Sequence, residues 1–587
     1  MASHEDRNNN YGDKTHKKPG GWKAVPYILG NEVFATLAVN GMFANFLVYL
    51  TGELHIDTVY AANIMSIWSG LCNFGPLIGA FISDAYVGRF NTIAFASIPN
   101  LLGMMVVTLT AWLPELHPLP CTPQQLAQDL CEKPKKTHLL VLLLGFLLLS
   151  IGSSGIKPCS LPFGINQFDA STEEGRRGIN SFFNWRYTIT NLIYLVTQTV
   201  VMYIQDSVSW TLGFGIPTLC TLLALVFFFV GSRIYVHVEP DGSILSGVAQ
   251  VLVAAYRKRK VELPYDEDED KDKDGVAFYD PPLKKGTSVM TKLPLTNQFR
   301  VLNKAAIIME GELNPDRSKA NPWRLASIQQ VEEVKCFVRI LPIWTTNIPT
   351  LTSIILLGIF TISQALKMDR HLGPSFQIPA GSFSVFSFLT IVLRVPLYDR
   401  VLVPALRKTT HHEGGITLLQ RMGIGLVFCV VSMVGAGFVE QARRGSTNSK
   451  PNRLVIAPMS AMWLAVPLIL MGMCKAFYII GNVEFLNRQC PEHMRSISNS
   501  LLYCSWGVAS YVSTFIMTMV NHRTNWLTND LNVGRLEYFY YLIAGLGAFN
   551  LGFFFFVAVR YQYINFKVQD DDDGDGDVEL AETKASV

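Results

Sequence analysis

Long apolar segments, separated by short polar loops, recur along the whole chain. A helix that crosses a membrane needs about 20 mostly apolar residues, because the hydrocarbon core is about 30 Å thick. We predict twelve such segments, numbered spans 1 to 12, near 26–50, 60–83, 92–113, 138–163, 181–204, 209–236, 335–365, 381–403, 416–438, 459–487, 496–520 and 537–560. The pattern therefore predicts an all-α membrane protein.

Polar segments at both ends and in the middle divide the chain further. The predicted parts are an N-terminal tail (1–25), a six-helix bundle (26–238), a linker (239–334), a second six-helix bundle (335–560) and an acidic tail (561–587). The linker, which contains the charge run Asp266–Asp274, is interpreted as solvated or as short surface helices. With twelve spans, most loop Lys and Arg residues lie on the side of the tails and linker, which predicts that both termini are cytoplasmic.

The composition excludes several other classes of protein. Only 16% of the residues are charged, against about 25% in soluble proteins. The net charge of +3 gives no support to a nucleic-acid binder. The ten cysteines include no CxxC pair, so we expect no zinc site and no disulfide scaffold, although Cys121 and Cys131 in the loop after span 3 are able to pair. We expect no cofactor, no metal and no enzymatic activity.

Two loops carry similar motifs at corresponding positions of the two halves. Asp84, Gly88 and Arg89 follow span 2, and Asp399 and Arg400 follow span 8. Six spans separate these loops, which suggests the parallel repeat of a major-facilitator bundle. Such loops suit hinges that gate a carrier, although a helix stop with a snorkelling arginine is the plainer alternative.

The loop after span 2 also contains a potential phosphorylation site. Thr92 stands three residues after Arg89, a basic-x-x-Thr spacing that is common by chance. A phosphate there would add a charge of about −1.5 to −2 beside the hinge.

These motifs belong to a longer set that resembles the plant nitrate/peptide transporter family, in the proton-coupled oligopeptide branch of the major facilitators. The matching stretches are Gly30-Asn31-Glu32, Asn45–Thr51, Asp84–Thr92 (DAYVGRFNT), Gly155-Ile156-Lys157-Pro158, Phe163–Asp169, Ser181–Trp185, Val334–Trp344 and Pro396–Arg400. The resemblance implies a 6 + 6 bundle that works by alternating access, usually as a proton symporter. It further implies substrates that range from nitrate and peptides to hormones and glycosylated metabolites.

Charged residues within predicted spans are functional candidates, because each costs a few kcal/mol to insert. Glu32, Lys157 and Lys475 reach similar depths in spans 1, 4 and 10. Because spans 4 and 10 are equivalent in the two halves, the lysines are expected to face each other across a central cavity, with Glu32 beside Lys157. Two ammonium groups and one carboxylate would attract an anion. Arg186 lies near the start of span 5 and is interpreted as a snorkelling residue.

The chain departs from the motif that its proton-coupled relatives share in span 1. Their pattern is Glu-x-x-Glu-Arg/Lys, whereas Ala35 and Thr36 stand here in place of the second acid and the base. Paired acids beside a base supply coupled titrating groups. The absence of the second acid and of the base therefore argues against the family's usual route of proton coupling. Glu32 and Lys157 remain as a minimal proton-coupling pair, and an uncoupled facilitator is the alternative.

The second half also departs from the family. Lys475 stands where peptide-transporting relatives have a Glu that holds a peptide's amino terminus, so peptides are not the expected substrate. Span 7 offers Asn347 for hydrogen bonding but contains no His, which weakens a nitrate assignment. Trp344 and Tyr478 are candidates for stacking on a sugar or a flat ring, although such residues more often face lipid or the core.

The sequence therefore predicts a secondary transporter of a small, anionic solute, either nitrate or an organic or glycosylated plant metabolite, with proton coupling left open. An uncoupled facilitator or exporter is the first alternative, and a membrane solute sensor is an alternative of another class. The expected partners are the solute, the lipid bilayer and, for a symporter, protons, and not nucleic acid; oligomerisation is undetermined. The plasma membrane and the vacuolar membrane both remain open as locations.

Overall fold

The structure is a computed structural model. It describes residues 21–118, 121, 132–168, 172–236, 244–261, 278–281, 293, 295–374, 376–397, 408, 416–447, 456–489, 495–528, 530–564 and 582–584. The charge run Asp266–Asp274, Cys131, Asp399, Arg400 and most of the acidic tail lie outside these residues.

The described residues form a bundle of long helices, which confirms the predicted fold class. In order of the spans, the helices are Val25–Ala44 with Phe46–Gly52, Thr58–Ile82, Arg89–Trp112, Lys136–Ile165, Glu173–Val196 with Met202–Ser207, Trp210–Val230, Ile328–Thr345 with Asn347–Ala365, Val385–Leu397, Leu418–Thr447, Ala465–Cys474 with Ile480–Gln489, Arg495–Arg523 and Leu536–Arg560. Among the described residues, ten of these spans are long and apolar enough to cross a membrane. Spans 5 and 8 are the other two.

Within the described ranges, three spans contain a turn of π-helix, in which the backbone is locally wider than an α-helix. These turns are Ser83–Val87 at the end of span 2, Thr197–Val201 in span 5 and Lys475–Ile479 in span 10. Single π-turns occur frequently at functional sites. The third turn begins at one of the lysines that the sequence singles out.

The six spans of each half pack on one another, and the halves meet along two seams. In the first half, span 3 packs against spans 4 and 6, and in the second half, span 9 packs against spans 10 and 12. One seam joins span 2 to span 11, where Asn63 donates to Thr518 at 3.1 Å and Ser510 donates to Ser69 at 3.2 Å. The second seam joins span 5 to span 8.

We call the end at which span 6 finishes and span 7 begins the linker end. The second seam is closed at the opposite end, where Ser384 donates to Gln198 at 2.6 Å and Arg370 lies 3.7 Å from Asp206. The neighbouring His371 contacts Asp369 at 2.6 Å, and this hydrogen bond lowers the pKa of the Asp369 carboxyl.

Short strands lie in the loops. Met368–Asp369 pairs in parallel with Ala457–Ser460, and His371–Leu372 pairs with Phe376–Gln377. Beyond span 12, Gln562–Ile564 pairs with Glu582–Lys584.

The described part of the linker is not simply a solvated chain. Its helix Ile244–Arg257 and its 3₁₀ helix Arg300–Ala306 pack against the start of span 7. Lys258 forms a buried ion pair with Glu312 at 2.7 Å. The linker is therefore attached to the second half through buried contacts as well as through the chain.

A completely buried ion pair lies in span 9, near the end of the bundle opposite the linker end. Arg443 donates two hydrogen bonds to Glu440, at 2.8 and 2.7 Å, and both side chains are inaccessible to solvent. Arg443 also donates to Asn532, and Gln364 donates to Glu440. The next residue, Arg444, pairs with Glu537. Each of these two arginines is therefore neutralised by an acid of the second half.

Candidate functional site between the two halves

Lys157 is placed by close contact between spans 2 and 4. A Cβ atom at Gly75 would lie 1.8 Å from Ser154 Oγ, and one at Gly79 would lie 1.9 Å from the Ser154 carbonyl oxygen. Only glycine is therefore compatible with this helix contact. Lys157 follows Ser154 by three residues, almost one helical turn, so the contact fixes the height and direction of its side chain.

The Lys157 ammonium group lies at the boundary between the halves. It donates a hydrogen bond to the Cys72 carbonyl oxygen on span 2, at 3.1 Å. On its other side, it lies 6.0 Å from the ring centre of Tyr503 on span 11, a distance at which a cation is still attracted by an aromatic face. Lys157 therefore touches both halves of the molecule.

Glu32 is bound by Arg186 and not by Lys157. Arg186 Nη2 donates to Glu32 Oε1 at 2.7 Å, with side chains that are 28% and 17% exposed, respectively. The interpretation of Arg186 as a snorkelling residue is wrong, because span 5 starts at Glu173 and places Arg186 thirteen residues inside the helix. The base that span 1 lacks at Thr36 is thus supplied by span 5.

Spans 1 and 5 run side by side in the same direction, and their polar contacts repeat at equal spacing. Eight residues after Glu32, the Asn40 side chain lies beside Tyr194, which itself lies eight residues after Arg186, and Asn40 Nδ2 donates to the Thr36 carbonyl oxygen at 2.8 Å. Eight residues are a little more than two helical turns, so both pairs lie along one seam. Tyr194 and Tyr503 each interact electrostatically with the Glu32–Arg186 pair.

An aromatic pair extends the site from the first half to Lys475. The Tyr194 ring stacks on Phe388 of span 8 with ring centres 5.4 Å apart and an angle of 12° between the planes. The Lys475 ammonium group lies 5.5 Å from the centre of the Phe388 ring. Lys475 is the first residue of the π-turn in span 10.

The site has an excess of positive charge. The pair of Glu32 and Arg186 is neutral, and neither Lys157 nor Lys475 has an ion-pair partner in the described part of the chain. Two ammonium groups, one from each half, therefore flank a wall formed by Tyr194, Phe388 and Tyr503. Such an arrangement is able to bind an anion and to hold an aromatic or apolar group against the rings.

The other predicted binding residues, Tyr478, Trp344 and Asn347, have other surroundings. Tyr478 is fully buried, and its hydroxyl contacts Thr346 at 3.0 Å. Trp344 donates its indole N–H to the Leu501 carbonyl oxygen at 2.9 Å. Asn347 is also buried, and its Nδ2 has no hydrogen-bond partner among the described residues.

The predicted gating loop after span 2 is a π-turn that ends at Gly88. Gly88 has φ +80°, a left-handed conformation that glycine adopts without strain. Asp84 lies within the turn and Arg89 begins span 3. The corresponding residues Asp399 and Arg400 lie outside the described residues. Thr92 is buried and donates its hydroxyl to the Gly88 carbonyl oxygen at 2.9 Å, so a kinase would have to displace this turn to reach it.

The sequence reasoning misinterpreted Arg186 and missed three further residues of the site, Tyr194, Phe388 and Tyr503. Arg186 carried a usable signal, because an acid inside span 1 without a base on its own helix needs a cation from another span. The three aromatic residues carried no such signal, since many aromatic side chains in these spans pack against lipid or the core.

A bundle of long apolar helices in two halves, with charged groups from both halves at its centre, is typical of a membrane transporter of the major-facilitator type. Residues 90–533 match the PTR2 model of the POT family. The chain belongs to this family, whose members and structural neighbours are transporters and not enzymes.

Two relatives of high identity are plant proteins. The chain is 53% identical over 553 residues to Protein NRT1/ PTR FAMILY 2.13 of Arabidopsis thaliana, a match that covers 93% of this chain and 88% of the relative. It is 49% identical to Protein NRT1/ PTR FAMILY 2.12 of the same plant, covering 93% and 92%.

Solved structures show the same fold at much lower identity. An auto-inhibited POT family peptide transporter superposes with a TM-score of 0.65 at 18% identity, covering 94% of this chain and 99% of that one. A POT family transporter in complex with 5-aminolevulinic acid gives a TM-score of 0.60 at 13% identity, covering 93% and 98%.

Proposed function

We propose that this transporter carries a small organic anion, or nitrate, through a cavity between its halves by alternating access. The observation that carries the proposal is the pair of lysines without a described acidic partner. Lys157 is supplied by the first half and Lys475 by the second half. An anion held between them would attract the two halves toward each other, which links binding to the movement that transport requires.

The aromatic residues beside the lysines favour an anion that also has a flat or apolar part. The stacked rings of Tyr194 and Phe388 lie between the Glu32–Arg186 pair and Lys475. Nitrate would use the positive charges alone. An aromatic or glycosylated anion would use both the charges and the rings, so we place organic plant metabolites ahead of nitrate.

The seams of the bundle support a direction for the movement. The contacts Ser384–Gln198 and Arg370–Asp206 hold the halves together at the end opposite the linker. If the linker and termini are cytoplasmic, as the distribution of Lys and Arg predicts, this is a state closed toward the outside. Opening would require these contacts to break while contacts at the linker end form.

Coupling to protons would act through Glu32 and Arg186. Protonation of Glu32 would remove its charge and release the arginine, adding a third cation to the site. Lys157 takes part through Tyr503, which interacts with both the lysine and the ion pair. The alternative is an uncoupled facilitator or exporter, which the absence of a second acid at Ala35 favours.

Uptake into oocytes tests this proposal. Nitrate, plant hormones, anionic glycosides and neutral glycosides of similar size are offered at acidic and at near-neutral external pH, with current recorded in parallel. We expect anions to be carried and their neutral counterparts to be excluded. Flux that rises at low pH with inward current identifies a symporter, whereas flux in both directions without dependence on pH identifies a facilitator.

A membrane sensor is the alternative function of another class. It would bind the same anions through the same lysines and signal through the linker, which is attached to span 7 by buried contacts. Binding to the purified protein without flux of any solute in the panel would favour the sensor and contradict the proposed transport.

A further inference from the structure

We propose that the linker helix Ile244–Arg257 and the turn after it form a docking surface for anionic phospholipids of the adjacent membrane leaflet. This proposal concerns a surface outside the transport site and goes beyond the proposed function. It starts from the sequence of residues 244–260, which contains four basic residues and no acidic residue.

One face of this helix is fixed to the protein. Val251, Ala254 and Ala255 are buried and belong to an apolar cluster that includes Val331 and Val334 of span 7. Lys258, in the turn that follows, is held by Glu312 at 2.7 Å and by the Ile307 carbonyl oxygen at 2.6 Å. The helix therefore has a set orientation relative to the membrane-spanning bundle.

The remaining face combines apolar and basic side chains. Leu252 is 48% exposed and Tyr256 is 67% exposed, and residues four apart lie on the same side of a helix. Arg257, Arg259 and Lys260 are exposed at the end of this face. An exposed apolar strip bordered by basic residues is typical of a helix that lies in a membrane interface.

The neighbouring chain places this helix beside the ends of two spans. The helix begins only fourteen residues after Val230, where span 6 ends, and it packs against the first turns of span 7. Both of its attachments are thus at the ends of membrane-crossing helices. An aqueous partner would have to approach along the lipid surface, whereas phospholipid headgroups are already there.

The basic groups are held in an arrangement that suits a phosphate group. The Arg259 guanidinium lies 4.3 Å from the ring centre of Tyr256, and Lys304 donates to the Arg259 carbonyl oxygen at 2.9 Å. The Lys304 ammonium group therefore lies beside the backbone of Arg259, and two separate segments of the linker supply basic residues to this surface. Anionic headgroups beside such a cluster gain about fivefold in binding for each basic residue at low ionic strength.

Native mass spectrometry of the full chain tests the proposal. The protein is extracted from vesicles of equal parts phosphatidylserine and phosphatidylcholine, and the retained lipids are counted. We compare wild type, a variant with Arg257→Gln, Arg259→Gln and Lys260→Gln, and a control with Lys133→Gln, Lys135→Gln and Lys136→Gln. The control removes three exposed lysines at the opposite end of the bundle.

We expect wild type and the control to retain phosphatidylserine in at least tenfold preference, and the linker variant to lose most of this preference. Equal retention of both lipids by wild type, or equal loss in the two variants, overturns the proposal. The salt dependence of wild type alone is a second test that needs no variant. If the preference for phosphatidylserine is as large at high salt as at low salt, the headgroup site is not electrostatic and the proposal is contradicted.

Discussion

Arg186 on span 5 lies 2.7 Å from Glu32 on span 1 and neutralises the acid of the span-1 motif within the first half of the bundle. This relationship decides the charge of the whole site. If Glu32 were bound to Lys157, a single lysine would remain for the substrate. Because it is bound to Arg186, both Lys157 and Lys475 remain available to an anion.

The ion pair predicts a specific pattern among its variants. Glu32→Gln leaves Arg186 without its acid, and Arg186→Gln leaves Glu32 without its base. Both charges are largely removed from water, so each single variant is expected to reduce uptake by about tenfold or more. The double variant is expected to be less impaired than the sum of the two, because it leaves no unpaired charge. Strictly additive effects would show that the two residues act separately.

Glu32→Gln also tests coupling directly. If Glu32 carries the proton, the variant is expected to lose any dependence of uptake on external pH while it still binds substrate. Lys136→Gln serves as the control, because it removes an exposed positive charge outside the site. Dependence on pH that survives in Glu32→Gln places the titrating group elsewhere.

The close contact between spans 2 and 11 allows a reversible disulfide cross-link between the two halves. Ser510 Oγ lies 3.2 Å from Ser69 Oγ, so cysteines at both positions are expected to form a disulfide in the closed state. Oxidation should stop transport, and a reducing agent should restore it. Ser69→Cys alone is the control for the native cysteines. Full transport by the oxidised double variant would mean that this seam does not open during the cycle.

The buried pair of Glu440 and Arg443 is expected to be important for stability. Arg443→Met leaves a carboxylate buried without its cation, which costs about 3–5 kcal/mol. The purified protein should therefore unfold at a clearly lower temperature. Arg523→Met, which changes an exposed arginine of span 11, is expected to have almost no effect. A similar shift for both variants would contradict the importance of the buried pair.

The contact between spans 2 and 4 predicts that Gly79→Ala displaces Lys157. The new Cβ atom would overlap the Ser154 carbonyl oxygen, so span 4 would have to move outward. We expect reduced yield of folded protein, and reduced substrate affinity in the fraction that folds. Gly552→Ala in span 12 is the control, because no atom lies within 4 Å of the added carbon. Normal affinity in folded Gly79→Ala would show that Lys157 does not depend on this contact.

The spans were predictable because membrane helices require long apolar segments. Span 5 was placed too late because its first turns, from Glu173 to Arg186, are polar and charged. Hydropathy alone does not distinguish such residues from a loop. The early start of span 7 at Ile328 has the same origin, because the buried Lys335 is neutralised there by Glu332 at 2.5 Å.

The site was only partly predictable. The three charged residues Glu32, Lys157 and Lys475 were recognised because charge within a span is costly. Their partners were not, since the contact of Glu32 with Arg186 depends on how spans 1 and 5 pack. The same holds for Lys475 and Phe388, which lie on different spans of the second half. The residue pattern along one helix does not show which residues of a neighbouring helix it will contact.

The most direct test of anion transport is uptake by Lys475→Gln and Lys475→Glu, compared with Lys136→Gln at the surface. The account predicts that Lys475→Gln raises the KM for a carried anion by about tenfold or more, because the charged hydrogen bond between the Lys475 ammonium group and the anion is lost. Lys475→Glu should abolish uptake of the anion, and Lys136→Gln should behave as wild type. Unchanged KM and unchanged selectivity for anions in Lys475→Glu would contradict the account.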